Sequence, residues 1–305
     1  MKSKILISTS SFGELDPSLL SNLIETYSCV FNAHGRRLKT EELLELVADI
    51  NGIIAGTEIY SREILSKARN LKVISRVGIG TDNIDLDFCR EQGINVATTK
   101  TDLSFSVAEL VISLFFSFFR NIPAHQMEMK NNNWQREMGE TISGKTLGII
   151  GLGSIGKKLV ELTIGLNLNI VAYDPCEDKE FSSKYSVKYC DINELLKCSD
   201  IVTIHAPSAE DNQPIISEEQ FKIMKPNALL INTSRGKNIN EEFLFEALKN
   251  KTIAGACIDV FNDEPYKGNL ASLDNVILTP HIGGYTSDVR RDLESEAVEN
   301  LRKFL

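Results

Sequence analysis

Residues 151–156 read Gly-Leu-Gly-Ser-Ile-Gly, between the apolar run Thr146-Leu147-Gly148-Ile149-Ile150 and the helically spaced Lys157-Lys158-Leu159-Val160-Glu161-Leu162. Such a short aliphatic run reads as a strand buried on both faces. A strand that turns on glycines directly into a helix aims unpaired backbone N–H groups at one point, where the helix dipole adds positive potential. A pyrophosphate fits there. Gly151 permits the turn, Gly153 lets phosphates approach the backbone, and Gly156 lets the helix pack on the strand; Ser154 and Ile155 complete the first turn. Alone, G-x-G-x-x-G is a weak signal, because glycine turns between strands and helices are common. Here a second strand, Asn169-Ile170-Val171-Ala172-Tyr173, ends in Asp174, roughly 20 residues past the glycines, where a carboxylate can bond the hydroxyls of an adenosine ribose. The same charge repels a 2′-phosphate, so the pattern predicts NAD in preference to NADP.

The rest of the chain repeats the strand–helix alternation. Lys4–Thr9, Cys29–Asn32, Gly52–Ala55, Leu71–Arg76 and Ile94–Ala97 read as strands. Between them, Asp16-Pro17 starts one helix, Thr40 with Glu41 and Glu42 starts another, and Gly93 ends a third. Ser106–Arg120 is a long helix, apolar nearly all round, and Trp134 lies in a polar loop after it. From Thr146 onward, strand-like runs recur near residues 147, 170, 187, 202, 230, 255 and 277, which suits a doubly wound parallel sheet. The tail Ser287–Leu305 is an amphipathic helix with Val289, Leu293, Ala297, Val298 and Leu301 on one face. A chain of 305 residues has room for two domains of about 100–200 residues each.

The formal net charge of −9 argues against nucleic acid and against an anionic membrane surface as partners. The most apolar stretch, Leu110–Phe119, contains Ser113 and Ser117 and falls short of the about 20 residues a membrane span needs. The N-terminus enters a strand at once, with no cleavable apolar core. Six cysteines (Cys29, Cys89, Cys176, Cys190, Cys198 and Cys257) are scattered without a C-x-x-C, as reduced thiols of a cytoplasmic protein would be. The four histidines, His34, His125, His205 and His281, form no H-x-x-x-H, and no metal site is expected.

Three later segments follow predicted strands at their C-terminal ends, where open α/β sheets place a ligand crevice. They are Asn232-Thr233-Ser234-Arg235-Gly236, Asp263-Glu264-Pro265, and Thr279-Pro280-His281-Ile282-Gly283-Gly284. Singly, each polar residue could be an ordinary surface group. Arg, Glu and His converging on one crevice edge beside a dinucleotide site point to chemistry instead. Gly78-x-Gly80, in Arg76-Val77-Gly78-Ile79-Gly80-Thr81-Asp82-Asn83, lacks a third glycine and a downstream acidic strand. It reads as a tight turn whose exposed N–H groups can hold a carboxylate.

With these segments in order, the chain resembles the D-isomer-specific 2-hydroxyacid dehydrogenase family, and most of all its phosphoglycerate-dehydrogenase-like branch. The matching residues are Arg76–Asp85, Val107-Ala108-Glu109, Gly144–Gly156, His205-Ala206-Pro207, Asn232–Gly236, Asp259 through Pro265, and Pro280–Gly284. They span nearly the whole chain. The resemblance implies two Rossmann-like, doubly wound parallel-sheet domains with the active site in the cleft between them. Residues 1–98 with 286–305 would form the substrate domain and residues 99–285 the NAD-binding domain, with hinges near 98–101 and 284–287. It implies a catalytic trio of Arg235, Glu264 and His281, with Val77 and Gly78 holding the substrate carboxylate. Ile79, His205, Pro207, Thr233, Asp259, His281 and Gly283 would join the glycine loop and Asp174 around NAD, Asp259 resembling the residue that contacts the nicotinamide carboxamide. A homodimer is expected, with the long apolar helix at its interface.

These roles suit reversible hydride transfer on a small 2-hydroxy or 2-keto acid. Arg235 can pair bidentately with the carboxylate and polarise the reacting carbonyl. His281 can donate a proton to the carbonyl oxygen in reduction and accept it back in oxidation, and a neighbouring Glu264 favours the charged imidazolium.

Some residues depart from the family pattern. Ala55-Gly56-Thr57 stands where phosphoglycerate enzymes carry an arginine for the phosphate. Thr99-Lys100-Thr101-Asp102-Leu103 replaces a commoner Pro-Gly-Ala-Asn loop, and Ser208 stands where leucine is usual. With Leu305 last, the regulatory domain of some relatives is expected to be absent. The alternative of another class is a non-catalytic, NAD-sensing, corepressor-like interaction protein on the same fold, which the lack of extended disordered tails argues against. Formate dehydrogenases replace the acid at the position of Glu264 by an amide, and that branch is disfavoured.

Overall fold

A computed structural model describes residues 2–209 and 213–305. The chain runs through β1 (Lys4–Ile7), α1 (Pro17–Thr26), β2 (Ser28–Phe31), α2 (Thr40–Leu46), β3 (Gly52–Ala55), α3 (Arg62–Leu65), β4 (Val73–Arg76), α4 (Leu86–Gln92) and β5 (Asn95–Ala97). Helices α5 (Ser104–Phe119) and α6 (Ile122–Lys130) follow. Then come β6 (Thr146–Ile150), α7 (Ser154–Thr163), β7 (Asn169–Tyr173), α8 (Lys179–Tyr185), β8 (Lys188–Tyr189), α9 (Ile192–Cys198) and β9 (Ile201–Ile204). The chain ends with α10 (Glu218–Ile223), β10 (Leu229–Asn232), α11 (Glu241–Lys249), β11 (Gly255–Ile258), β12 (Val276–Leu278) and α12 (Ser287–Arg302). Two compact units result: Met1–Asp102 with Thr286–Leu305, and Leu103–Tyr285.

The first unit carries a five-stranded sheet in the order β2-β1-β3-β4-β5, every pair parallel. Its central strands bury Ile5, Leu6, Ile53, Ile54, Val73 and Ile74 almost completely, each worth about 1.5–3 kcal/mol of transfer from water. Local chemistry sets the helix ends. Asp16 accepts from Ser18 N at 3.0 Å to open α1, Asp85 accepts from Phe88 N at 2.8 Å to open α4, and Gly93 ends α4 at φ +68°. The C-terminal helix α12 packs in this unit with Val289, Leu293, Ala297, Val298 and Leu301 buried. A Cβ on Gly52 would lie 2.8 Å from Leu301 Cδ1, so glycine makes the room for that helix. Glu294, buried among these apolar residues, accepts from Gly13 N at 2.9 Å and Arg290 Nε at 2.6 Å, tying α12 to the loop after β1. Periodicity alone gives no sign of this buried carboxylate.

The second unit carries a seven-stranded parallel sheet in the order β12-β11-β10-β9-β6-β7-β8. Strand order reverses at β6 and β9, the switch point at whose carboxyl ends such sheets bind ligands. One face of α5, with Ala108, Val111, Leu114, Phe115 and Phe119, enters a core with Leu147, Ile149, Leu159, Val160 and Ile231. Phe105 and Phe116 of the same helix remain exposed. Helix α6 was not legible in the sequence: no residue of it is buried, so it has no apolar face to read. Among the described residues no single helix is long and apolar enough to cross a membrane.

Candidate functional site

The glycine loop lies at the carboxyl end of β6. Gly151 adopts φ +94°, and a Cβ there would meet Ala206 N at 2.7 Å and the His205 carbonyl carbon at 2.9 Å. A side chain would therefore push apart the ends of β6 and β9. A Cβ on Gly156 would lie 2.5 Å from Gly151 O, so the helix closes on the turn only with glycine. Around the corresponding position on Gly153 there is nothing within 4 Å, and no side chain caps the first turn of α7. Open backbone N–H groups at a helix start, with bare space before them, make a cradle for a diphosphate.

Asp174, half-buried at the end of β7, accepts from Leu152 N and from Cys176 N, both at 2.8 Å. Its two oxygens are thereby held beside the glycine loop. Two buried polar atoms nearby lack a hydrogen-bond partner among the described residues: Thr233 Oγ1 after β10 and His205 Nδ1 after β9. The other ring nitrogen of His205 lies 3.0 Å from Thr203 Oγ1, and burial pushes its pKa down to about 4. Pro207 is exposed beside it. An uncapped helix start, a positioned carboxylate and two unsatisfied buried polar atoms on one sheet end fit a dinucleotide.

Arg235, Glu264 and His281 stand in the loops after β10, β11 and β12. Asn232, almost fully buried, donates from Nδ2 to Arg235 O at 2.8 Å and accepts from Ser234 N at 3.1 Å and Ser234 Oγ at 2.8 Å. Buried Asn238 donates to Ala206 O at 2.9 Å and Ser234 Oγ at 3.0 Å, binding this loop to the one after β9. Neither asparagine was picked out from sequence as a support; the signal available was Asn232 directly before the Thr-Ser-Arg run. A Cβ on Gly236 would lie 2.1 Å from the Phe261 carbonyl carbon, so the Arg235 loop lies directly on the backbone after β11. Phe261 N in turn donates to Glu264 Oε1 at 3.2 Å.

Glu264 reaches His281, whose Nδ1 lies 3.1 Å from Oε1 and 3.0 Å from Oε2. The imidazole is nearly half exposed and the carboxylate less so. His281 sits at φ +54°, a left-handed conformation that is costly for a side-chain-bearing residue and recurs at functional sites. Asp259 holds it there. This fully buried carboxylate accepts from Thr279 Oγ1 at 2.6 Å, Ile282 N at 2.8 Å and Gly283 N at 2.9 Å. The Asp259 carbonyl accepts from His281 N at 2.9 Å. Burial raises the Asp259 pKa, and its three hydrogen bonds oppose that rise. Its oxygens thus support the loop that carries His281, a task the sequence did not disclose.

In the first unit, Val77 is buried and Ile79 exposed. Val77 N donates to Ala55 O at 2.9 Å, and Gly78, at φ +144°, accepts from Thr99 N at 3.2 Å. The Arg76 guanidinium folds over Gly78, where a Cβ would lie 2.9 Å from its Nη1.

Residues 112–283 match the NAD binding domain of the D-isomer specific 2-hydroxyacid dehydrogenases. The chain is 41% identical over 274 residues to D-3-phosphoglycerate dehydrogenase of Methanocaldococcus jannaschii, covering 88% of this chain and 52% of that one, so it spans about half the length of that relative. It is 35% identical over 276 residues to hydroxypyruvate reductase of Thermotoga maritima, covering 88% of this chain and 89% of that one. The crystal structure of D-lactate dehydrogenase from Escherichia coli superposes with a TM-score of 0.84 at 27% identity, covering 99% of this chain and 96% of that one.

Proposed function

The chain belongs to the D-isomer specific 2-hydroxyacid dehydrogenase family, and on that premise we propose that it transfers a hydride reversibly between NAD and C2 of a small 2-hydroxy or 2-keto acid. The observation that carries the reading is the 3.0 Å contact of His281 Nδ1 with Glu264 on a loop set beside that of Arg235. With Nδ1 turned to the carboxylate, Nε2 is the ring nitrogen left to face a substrate oxygen. His281 donates a proton to the carbonyl oxygen in reduction and takes it back in oxidation. Arg235 pairs with the substrate carboxylate and polarises the carbonyl, and the Val77–Gly78 turn holds the carboxylate's other side through the N–H of Gly78, since that of Val77 is taken by Ala55 O. Gly151, Gly153, Ser154, Ile155 and Gly156 seat the pyrophosphate, and Asp174 bonds the adenosine ribose. Ile79, His205, Pro207, Thr233, Asp259 and Gly283 line the remainder of the cofactor. Residues 1–98 with 286–305 serve the substrate and 99–285 the cofactor.

The same reading places the protein in the cytoplasm as a homodimer. Six unpaired thiols support the first part. Exposed Phe105, Phe116, Ile122, Met127, Met129, Trp134 and Met138, along α5, α6 and the segment after them, support the second. Sedimentation at micromolar concentration should give twice the chain mass, and a monomer removes the dimer. The activity itself is tested with NADH and a panel of phosphohydroxypyruvate, hydroxypyruvate, glyoxylate and pyruvate. Turnover of at least one supports the reading. NADH binding without turnover of any favours the NAD-sensing alternative.

A further inference from the structure

Helix α11 starts shortly after Arg235, and its first residue makes a contact that helix formation does not need. The helix start is capped by Asn240, whose Oδ1 accepts from Glu242 N at 3.1 Å and Phe243 N at 3.2 Å. Glu241 instead reaches out of the helix to the turn after β11, where its Oε1 accepts from Asn262 N at 2.7 Å. Two successive amides of that turn are thus held by carboxylates. Phe261 N donates to Glu264, the acid that faces His281 Nδ1, at 3.2 Å, and Asn262 N donates to Glu241.

The peptide between Phe261 and Asn262 also bears the Gly236 contact. A Cβ on Gly236 would lie 2.1 Å from the Phe261 carbonyl carbon, 2.3 Å from its oxygen and 2.5 Å from Asn262 N. The segment from Gly236 to Glu241 therefore meets this peptide twice, by close packing at one end and by a hydrogen bond at the other. The buried Phe261 ring is held in turn by Tyr266, stacked at a centroid distance of 4.1 Å, and Tyr266 Oη accepts from Leu270 N at 3.0 Å. Asp263 and Glu264 are carried between these fixed points.

Glu241 occupies an unfavourable place for an acid. It is half-buried, and burial raises its pKa; the bond from Asn262 N opposes the rise, and the charge of Asp263 adds to it. To complement the helix dipole, the exposed Glu242 beside it suffices. The bond to the turn is what the position of Glu241 supplies.

We propose that Glu241 is a positioning residue for proton transfer: by accepting from Asn262 N it fixes the turn that carries Glu264, and so the place of that carboxylate against His281 Nδ1. The proposal rests on the reading that Glu264 orients His281 as the proton donor. Glu241 acts through the backbone of the turn. A shift of about 1 Å in a reacting group can cost about a hundredfold in rate, so the loss of one of several supports should cost about tenfold.

The test measures kcat, KM for NADH and KM for a keto acid that the protein turns over. Glu241→Ala should lower kcat about tenfold and leave both KM values within about twofold of wild type. Glu241→Gln keeps an acceptor oxygen at the same reach and should hold kcat within about threefold of wild type. Glu242→Ala, at the exposed neighbour, should leave kcat unchanged. Glu241→Asp, one methylene shorter, serves if Glu241→Ala does not fold. A Glu264→Ala background separates positioning from general loosening. There Glu241→Ala should cost less than about twofold, because the carboxylate through which it acts is gone. Equal losses in both backgrounds, an unchanged kcat in Glu241→Ala, or a Gln variant as poor as Ala overturns the proposal. So does a change confined to KM for the keto acid, which would place the effect at Arg235. If Glu264→Ala alone leaves kcat unchanged, the role of Glu264 itself fails, a separate outcome that takes this proposal with it.

Discussion

His281 Nδ1 lies 3.0 Å from Glu264 Oε2 across 17 residues of chain, with the histidine held at φ +54°. The pairing turns one ring nitrogen to the carboxylate and leaves Nε2 for the proposed proton transfer. His281→Ala should cost roughly two to four orders of magnitude in kcat, the usual contribution of a positioned general acid–base. Glu264→Gln keeps the shape but removes the carboxylate on which Nδ1 rests, so kcat for keto-acid reduction should fall while KM for NADH changes little. Steady-state rates check this, and an unchanged kcat would detach Glu264 from the proton donor.

Arg235→Ala should raise KM for the keto acid and lower kcat together, because its charge acts on the bound substrate and on the transition state alike. Arg235→Lys retains the charge but loses the planar fork and should recover only part of the loss. A change confined to KM would limit Arg235 to binding.

Asp174→Ala should narrow the preference for NADH over NADPH, measured as a ratio of dissociation constants by fluorescence titration. The same substitution unpairs Leu152 N and Cys176 N, so stability should fall by about 1–3 kcal/mol. A wild type that binds both cofactors equally would remove the role given to this carboxylate.

Gly236→Ala would place a methyl carbon 2.1 Å from the Phe261 carbonyl carbon and 2.3 Å from its oxygen. Neither backbone atom can swing aside, so the loops carrying Arg235 and Glu264 must separate. Activity should fall at least a hundredfold and unfolding free energy by more than about 2 kcal/mol. Near-wild-type kinetics would show that the two loops do not need this contact.

His205 supplies a pH dependence of stability. Its imidazole is held to a pKa of about 4 by burial, against an ordinary 6.5. Below pH 6.5 the unfolded chain takes up a proton that the folded chain refuses until about pH 4. Stability from this group is therefore lost as pH falls, at up to about 1.4 kcal/mol per pH unit. Between pH 7 and pH 5 the cofactor-free protein should lose about 2 kcal/mol more than His205→Gln does, measured by urea unfolding. Parallel losses in the two proteins would show that His205 titrates normally.

Much of the architecture and the candidate site could be read from local pattern. Aliphatic runs such as Leu147–Ile150 and Leu229–Ile231 announce strands buried on both faces, since a parallel sheet covered on each side leaves no polar alternation. Arg235, Glu264 and His281 could be singled out because each follows such a run, and parallel α/β sheets gather their strand ends on one edge. The glycine loop and Asp174 were legible for the same reason: the chemistry lies within one β-α-β unit, at short sequence separation.

What only the tertiary structure decided involves groups brought together over long separations. Phe261 passes within van der Waals contact of Gly236, a meeting that no local pattern announces. Asp259 supports the His281 loop through three hydrogen bonds that span 20 to 24 residues. Ser8, Glu58 and Tyr60 share one buried network although about 50 residues separate the first from the others. The sequence by itself determined most of the strands and helices, α6 excepted, and which polar residues stand at their ends, because those depend on periodicity and local backbone chemistry. Which polar groups meet, at what distance and how far from water, follows from the packing of distant segments, and no local pattern encodes that.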